Sequence, residues 1–202
     1  MDGTMQLYHG DCLEILPTLE AGSVDMVLCD LPYGTTQNKW DTIIDLSEMW
    51  QELNRVVRKN GAMVFFGQQP FTSALVVSNL KAFKYDWVWR KPKGTGHLNA
   101  KKMPMRDKED ILVFCNGTTP YFPQMSKGLP FPSKAGKEST TGSYGDYGDF
   151  RNDNNGTRYP KQVLEYGAVE LGTLHPTQKP VPLLSYLIRT YTNKGDAVLD
   201  FC

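Results

Sequence analysis

A carboxylate, a carbonyl locked by proline and an aromatic ring fall within the run Asp30-Leu31-Pro32-Tyr33, followed by Gly34. Exocyclic amines on aromatic rings are poor nucleophiles because their lone pair is delocalised into the ring, so a catalyst must hold such a group where the pair can localise. Asp30 supplies one acceptor for that purpose. The carbonyl of Leu31 supplies a second, because a residue before proline is kept extended and proline sets the turn that follows. Tyr33 adds a flat face, and stacking on it would replace ~1–3 kcal/mol of what a base loses on leaving its duplex. Neither a cysteine nucleophile nor a metal is needed. The same residues would also serve as an ordinary turn between strand and loop, so their place in the fold matters.

That place is set by the flanking pattern. Val24–Cys29 and 62–66 are short apolar runs bounded by turn residues, as expected of buried parallel strands. Between them, Asp45 or Ser47 can cap a helix through Lys59, with Met49, Leu53, Val56 and Val57 at helical spacing and Asn60-Gly61 as its stop. Strand, helix and strand form a crossover unit of a doubly wound sheet, and Asp30 then sits at the carboxyl end of a strand, where such sheets bind ligands. Further strands are expected at 5–8, 85–89, 110–115 and 197–200, with helices at 12–16 and 182–191. From about 118 to 171 the chain turns to Gly, Pro, Ser, Asn and Tyr without a hydrophobic period, which in a compact domain indicates a functional insertion or disorder.

The motif and its surroundings resemble the beta class of DNA amino-methyltransferases. Asp30 to Tyr33 is similar to that family's Asp-Pro-Pro-Tyr signature, with Leu31 replacing the first proline. The run continuing through Thr35-Thr36, then Lys39-Trp40-Asp41 and Phe66-Gly67-Gln68-Gln69-Pro70-Phe71, resembles a branch common in bacteriophages and prophages and in restriction-modification. His175-Pro176-Thr177-Gln178-Lys179-Pro180 is similar to the segment before the family's cofactor loop, although it also reads as a helix start capped by Thr177. Ala197 to Cys202 resembles the strand and opening of that loop. The resemblance implies a mostly parallel, Rossmann-like methyltransferase sheet and S-adenosylmethionine as cofactor, contacted by Asp11, Asp30, His175, Thr177, Gln178, Lys179, Asp200 and Phe201. For Asp11 the alternative is a helix cap. It further implies three segments: a catalytic half at 1–117, a target-recognition insertion at 118–171, and the start of the cofactor half at 172–202. Against the family pattern the glycine-rich turn, its helix and the next strand are missing, so the chain is expected to be C-terminally incomplete, with an exposed sheet edge that lowers stability or pairs in a homodimer.

Formal charge is zero, 22 cationic side chains against 22 carboxylates, so contacts with double-stranded DNA must come from local clustering. Residues 84–108 hold eight Lys or Arg, whereas the first thirty residues have none. Arg90, Lys91, Lys93, His97, Lys101 and Lys102 are the expected phosphate contacts, with Arg151 and Arg158 in the insertion among the residues that could read bases; the alternative is a solvated charged face. The leading Asp of the motif tilts the target toward adenine N6 over cytosine N4. The four cysteines lack zinc-ligand spacing and no apolar run reaches a membrane span, so neither a metal nor a membrane is expected, and a reducing cytoplasmic setting is the default. Three functions remain open: an active site-specific methyltransferase, an inactive remnant that still binds DNA, and an unrelated nucleotide-binding domain.

Overall fold

A computed structural model of the chain describes residues 4–34, 41–131, 155–167 and 178–202. They belong to two compact units, Met1–Phe122 with Gln162–Cys202, and Pro123–Lys161. In chain order the regular elements are α1 (Cys12–Ile15), β1 (Val24–Cys29), α2 (Leu46–Val56), β2 (Val57–Gly67), α3 (Phe71–Ser78), β3 (Phe83–Thr95), β4 (Arg106–Phe114), β5 (Ser126–Lys127), β6 (Thr157–Arg158), β7 (Val163–Glu165), α4 (Val181–Tyr191) and β8 (Val198–Leu199).

The first unit is built on a six-stranded sheet in the order β7-β3-β4-β2-β1-β8. β1 is parallel to both β2 and β8, and β3 is parallel to β7, while β4 runs antiparallel to β2 and β3. This is the α/β, mostly parallel architecture expected from the sequence. The apolar strands are covered on both faces, as parallel strands require. Val27, Cys29, Met63, Phe65, Leu112 and Phe114 pack with α2 and α3 on one side, through Met49, Trp50, Leu53, Phe71 and Leu75. Met26, Leu28, Val64, Phe66, Ile111 and Val113 alternate with them and pack against Leu183, Leu187 and Tyr191 of α4 on the other.

Several boundaries depart from the sequence expectation. Helix α2, capped by Asp45, whose carboxylate accepts from Glu48 N at 3.0 Å, ends at Val56 rather than Lys59. The β-branched pair Val56-Val57 turns straight into β2, and the expected stop at Asn60-Gly61 is instead an irregularity between Val57, opposite Val24, and Ala62, opposite Met26. Gly61 is required there: a Cβ would lie 2.8 Å from the Asp25 carbonyl oxygen. The segment 5–8 is not a strand but an exposed, unpaired stretch, with Met5 and Leu7 facing solvent. The sequence pattern carries no sign of α3, and the expected strands at 85–89 and 110–115 are the inner part of a much longer β3–β4 hairpin.

The second unit contains the β5–β6 ribbon, in which Ser126 pairs with Arg158 and Lys127 with Thr157. Arg158 lies over the Phe131 ring at 4.7 Å and donates to the Leu129 carbonyl at 2.5 Å, so part of its guanidinium is engaged within its own unit.

Candidate active site

Strand β1 delivers Asp30 to the rim of the sheet, and the adjacent parallel strand β8 delivers Asp200 to the same rim, since Met26 pairs with Val198 and Val27 with Leu199. The two carboxylates are near enough that the charge on Asp30 contributes to raising the Asp200 pKa, after the larger effect of desolvation of the Asp200 carboxyl by its surroundings. Cys29, one residue before Asp30, is fully buried; burial first, and then its hydrogen bond with the Cys202 thiol, hold it well above the ordinary thiol range. This setting does not produce a thiolate nucleophile at Cys29.

Pro32 and Gly34 shape the turn that returns Tyr33 over the rim. Gly34 adopts φ +65°, and its N–H donates to the buried Asp41 carboxylate at 2.8 Å. Leu31 is buried, and its carbonyl accepts no hydrogen bond among the described residues. The Tyr33 ring stacks on Phe71 of α3, with centroids 5.3 Å apart, and its hydroxyl donates to Asp30 Oδ1 at 2.7 Å. Burial, followed by the charges of Asp30 and Glu109, drives the tyrosine pKa far upward, so the hydroxyl stays protonated and acts as a donor. The sequence points to stacking alone for Tyr33 and gives no hint of this bond.

Lys179, just before α4, places its ammonium on Asp30 Oδ2 and lies 3.5 Å from Glu109 Oε2. Glu109 Oε1 accepts from Lys91, whose ammonium is over the Trp89 ring at 4.8 Å, and Lys179 is over the Phe66 ring at 5.0 Å. Next to this cluster Asp110, opposite Gly67 of β2, accepts from Thr72 Oγ1 at 3.0 Å and Lys108 Nζ at 2.5 Å. Glu109 does not stand out in the sequence because it precedes an apolar strand that looks complete without it, and Asp110 reads only as the polar first residue of that strand. The available signal is the period of two: Tyr85, Trp87, Trp89 and Lys91 share one face of β3, so Lys91 follows the buried tryptophans inward.

The remaining expected residues are distributed as follows. Asp11 caps α1, accepting from Leu13 N at 2.8 Å. At the start of α1, burial and then the nearby charge of Cys202 push the Cys12 thiol up to about 11. Phe201 packs edge-on to Phe65 at 6.4 Å. Gln178 is partly buried beside Lys179; His175, Thr177 and Arg151, like Thr35, Thr36, Lys39 and Trp40, lie outside the described residues. Of the expected phosphate contacts, Lys91 is committed to Glu109, and Arg90 pairs with Glu165 at 3.2 Å in an exposed position. Lys93, His97, Lys101 and Lys102 are exposed on the outer part of the β3–β4 hairpin, and the three lysines form no ion pair among the described residues. No helix among these residues is long and apolar enough to cross a membrane, and no cluster of metal-ligating side chains is found among them.

Comparison with known proteins matches residues 24–201 to the DNA methylase family of N6 and N4 enzymes. The chain is 31% identical to the DNA adenine methyltransferase YhdJ of Escherichia coli (strain K12), covering 96% of itself and 69% of that protein. With the type II methyltransferase M.HpaI of Haemophilus parainfluenzae it shares 26% identity, spanning 96% of itself and 62% of the relative. Among solved structures, the M1.HpyAVI–SAM complex aligns with TM-score 0.59 and 22% identity over 96% of this chain and 81% of that one. The cytosine-N4-specific PvuII DNA methyltransferase aligns with TM-score 0.62 at 14% identity, over 96% and 72% of the two chains.

Proposed function

The chain belongs to the N6/N4 DNA methylase family, and on that premise we propose that it transfers a methyl group from S-adenosylmethionine to the exocyclic amine of a DNA base turned out of its duplex, with adenine N6 as the target. The observation that carries the reading is the pairing of Asp30 and Asp200 on one rim, at the ends of adjacent parallel strands, with the Tyr33 ring beside them. S-adenosylmethionine would supply an electrophilic methyl group on a cationic sulfonium. Two neighbouring carboxylates, one with its pKa raised in part by the other, suit a cationic ligand, so the residues present fit the cofactor. Asp11, Asp200 and Phe201 are the proposed cofactor contacts, together with His175, Thr177, Gln178 and Lys179. Asp30 and the Leu31 carbonyl would accept the two amine hydrogens and localise the lone pair, while Tyr33 stacks on the base.

Adenine is favoured by the acidic residue that begins the motif and by the 31% identity to a protein named as a DNA adenine methyltransferase. Residues 118–171 are the proposed target-recognition insertion, with Arg151 and Arg158 among its readers. Lys93, His97, Lys101 and Lys102 are the proposed phosphate contacts, and Arg90 joins them at the margin. The test is transfer of tritium from labelled cofactor to duplex DNA, followed by digestion to nucleosides. Label in N6-methyldeoxyadenosine supports the reading, label in N4-methyldeoxycytidine moves the target to cytosine, and duplex binding without label would assign the chain to DNA binding alone.

A further inference from the structure

Both oxygens of Asp30 are engaged. Oδ1 accepts from Tyr33 and Oδ2 from the Lys179 ammonium. A hydroxyl donor is compatible with an incoming amine, because a carboxylate keeps spare lone pairs. The ammonium is different: it weakens Asp30 as an acceptor and repels the positive charge an amine nitrogen gains as it attacks a methyl carbon. A second acceptor waits close by. Glu109 Oε2 lies 3.5 Å from Lys179 Nζ, is buried, and accepts no hydrogen bond among the described residues. Buried carboxylate oxygens left unmatched are costly and uncommon. The other Glu109 oxygen is anchored by Lys91, itself packed on Trp89, so the carboxylate is fixed in place while Oε2 stays open to Lys179.

We propose that Glu109 is a positioning residue that draws the Lys179 ammonium off Asp30 when the target amine arrives. The proposal rests on the methyl-transfer reading above and adds to it a cation exchanged between two carboxylates. No covalent bond changes in the exchange. Asp30 is released to accept from the amine, Lys179 stays paired, and the buried oxygen of Glu109 gains its missing donor.

Glu109→Gln keeps the shape and the bond from Lys91 but removes the charge that attracts Lys179. Under single-turnover conditions with tritiated cofactor, methyl transfer by this variant should fall about tenfold or more while cofactor and duplex affinities stay within about twofold. At saturating cofactor, so that the loss of Lys179 as a cofactor contact does not enter, adding Lys179→Gln should recover much of that loss, because no ammonium then remains on Asp30; a purely structural role for Glu109 would make the two losses add. A readout independent of turnover is the Nζ resonance of Lys179 in protein labelled with heavy nitrogen at lysine, identified by its disappearance in Lys179→Gln. Saturating deoxyadenosine should shift it in the wild type but not in Glu109→Gln, and the purine deoxynucleoside lacking the amine should shift it in neither. Unchanged transfer in Glu109→Gln, additive losses, or an Nζ resonance that ignores the amine or moves equally in Glu109→Gln would overturn the proposal. A wild-type chain that transfers no methyl group counts against the methyl-transfer reading instead, and the Nζ resonance then decides the exchange by itself.

Discussion

The inner and outer halves of the β3–β4 hairpin carry the same kind of residue to opposite ends. Near the sheet, Lys91 is tucked over Trp89 against Glu109, within reach of the Asp30 cluster. Farther out, Lys93, Lys101 and Lys102 stand in solvent with no ion pair among the described residues. A single basic run therefore holds two populations of cation: one bound into the carboxylate cluster beside Asp30 and one exposed to solvent. Distance from the sheet separates them, and residue type does not; alternation alone would put Lys91 and Lys93 on one face.

The sharpest test of that division is Asp30→Ala, which removes an acceptor from the rim but nothing from the hairpin tip. Methyl transfer should drop by roughly 10²–10³ or more, as when a preorganised polar group is lost from an active site. Duplex affinity and the circular dichroism spectrum should be retained, and loss of DNA binding would join the two regions that are separated here. The converse variant, Lys93→Ala with Lys101→Ala and Lys102→Ala, should lower the slope of log K against log salt by about 0.9 for each phosphate that these lysines neutralise. Thermal stability should be unchanged, and a slope equal to that of wild type would remove these lysines from the DNA surface.

Lys91→Ala should behave unlike either. It leaves the buried Glu109 carboxylate short of its donor, so stability should fall by ~1–3 kcal/mol in denaturant titration, with the salt slope nearly unaltered. A strong drop in the slope would return Lys91 to the phosphate-binding set. Tyr33→Phe keeps the stacking face and loses only the hydroxyl on Asp30, so transfer should decline by less than about tenfold, whereas Tyr33→Ala should cost considerably more.

The smallest expected effect concerns pH. Asp200 holds its proton more tightly in the folded chain than in the unfolded one, so its favourable contribution is present when the group is protonated and is lost as pH rises through the raised value. Asp200→Asn should therefore raise the melting temperature slightly at neutral pH, and the gain should vanish below the ordinary carboxylate range. Weaker cofactor binding in the same variant would show that the ionised group is kept for its ligand.

The parts of the fold that are legible in the sequence are those with a complete local pattern. Val24–Cys29 and its partner β8, the Asp45 cap of α2 and the helix before β8 each have a period and a punctuation mark of their own. Helix α3 has neither, because Phe71–Ser78 is apolar around much of its circumference and offers no stripe. The reversal of β4 leaves no local trace, since strand direction is settled by pairing with β2 and β3. In the site, Asp30, Tyr33 and Lys179 are visible as motif residues, but Glu109 acquires its meaning only from Lys91 and Lys179, which are distant from one another in sequence.

Strand β8 has just two ladder pairs with β1, and its start is tied by Ala197 N donating to Asp25 at 2.7 Å and by Arg58, which bridges Asp25 at 2.7 Å and Asp196 at 3.4 Å. The carboxyl end is held by the hydrogen bond between Cys29 and Cys202 and by Phe201 packed edge-on to Phe65. So short a ladder opens more readily than the longer pairing of β1 with β2, so the shelf bearing Asp200 and Phe201 is expected to have its own local unfolding equilibrium. Any ligand that needs the shelf binds with an affinity reduced in proportion to the fraction of time it is closed. Amide exchange at Val198 and Leu199 measures that fraction directly, and added salt, by loosening the Arg58 bridge, would lower ligand affinity without touching a single atom of the site.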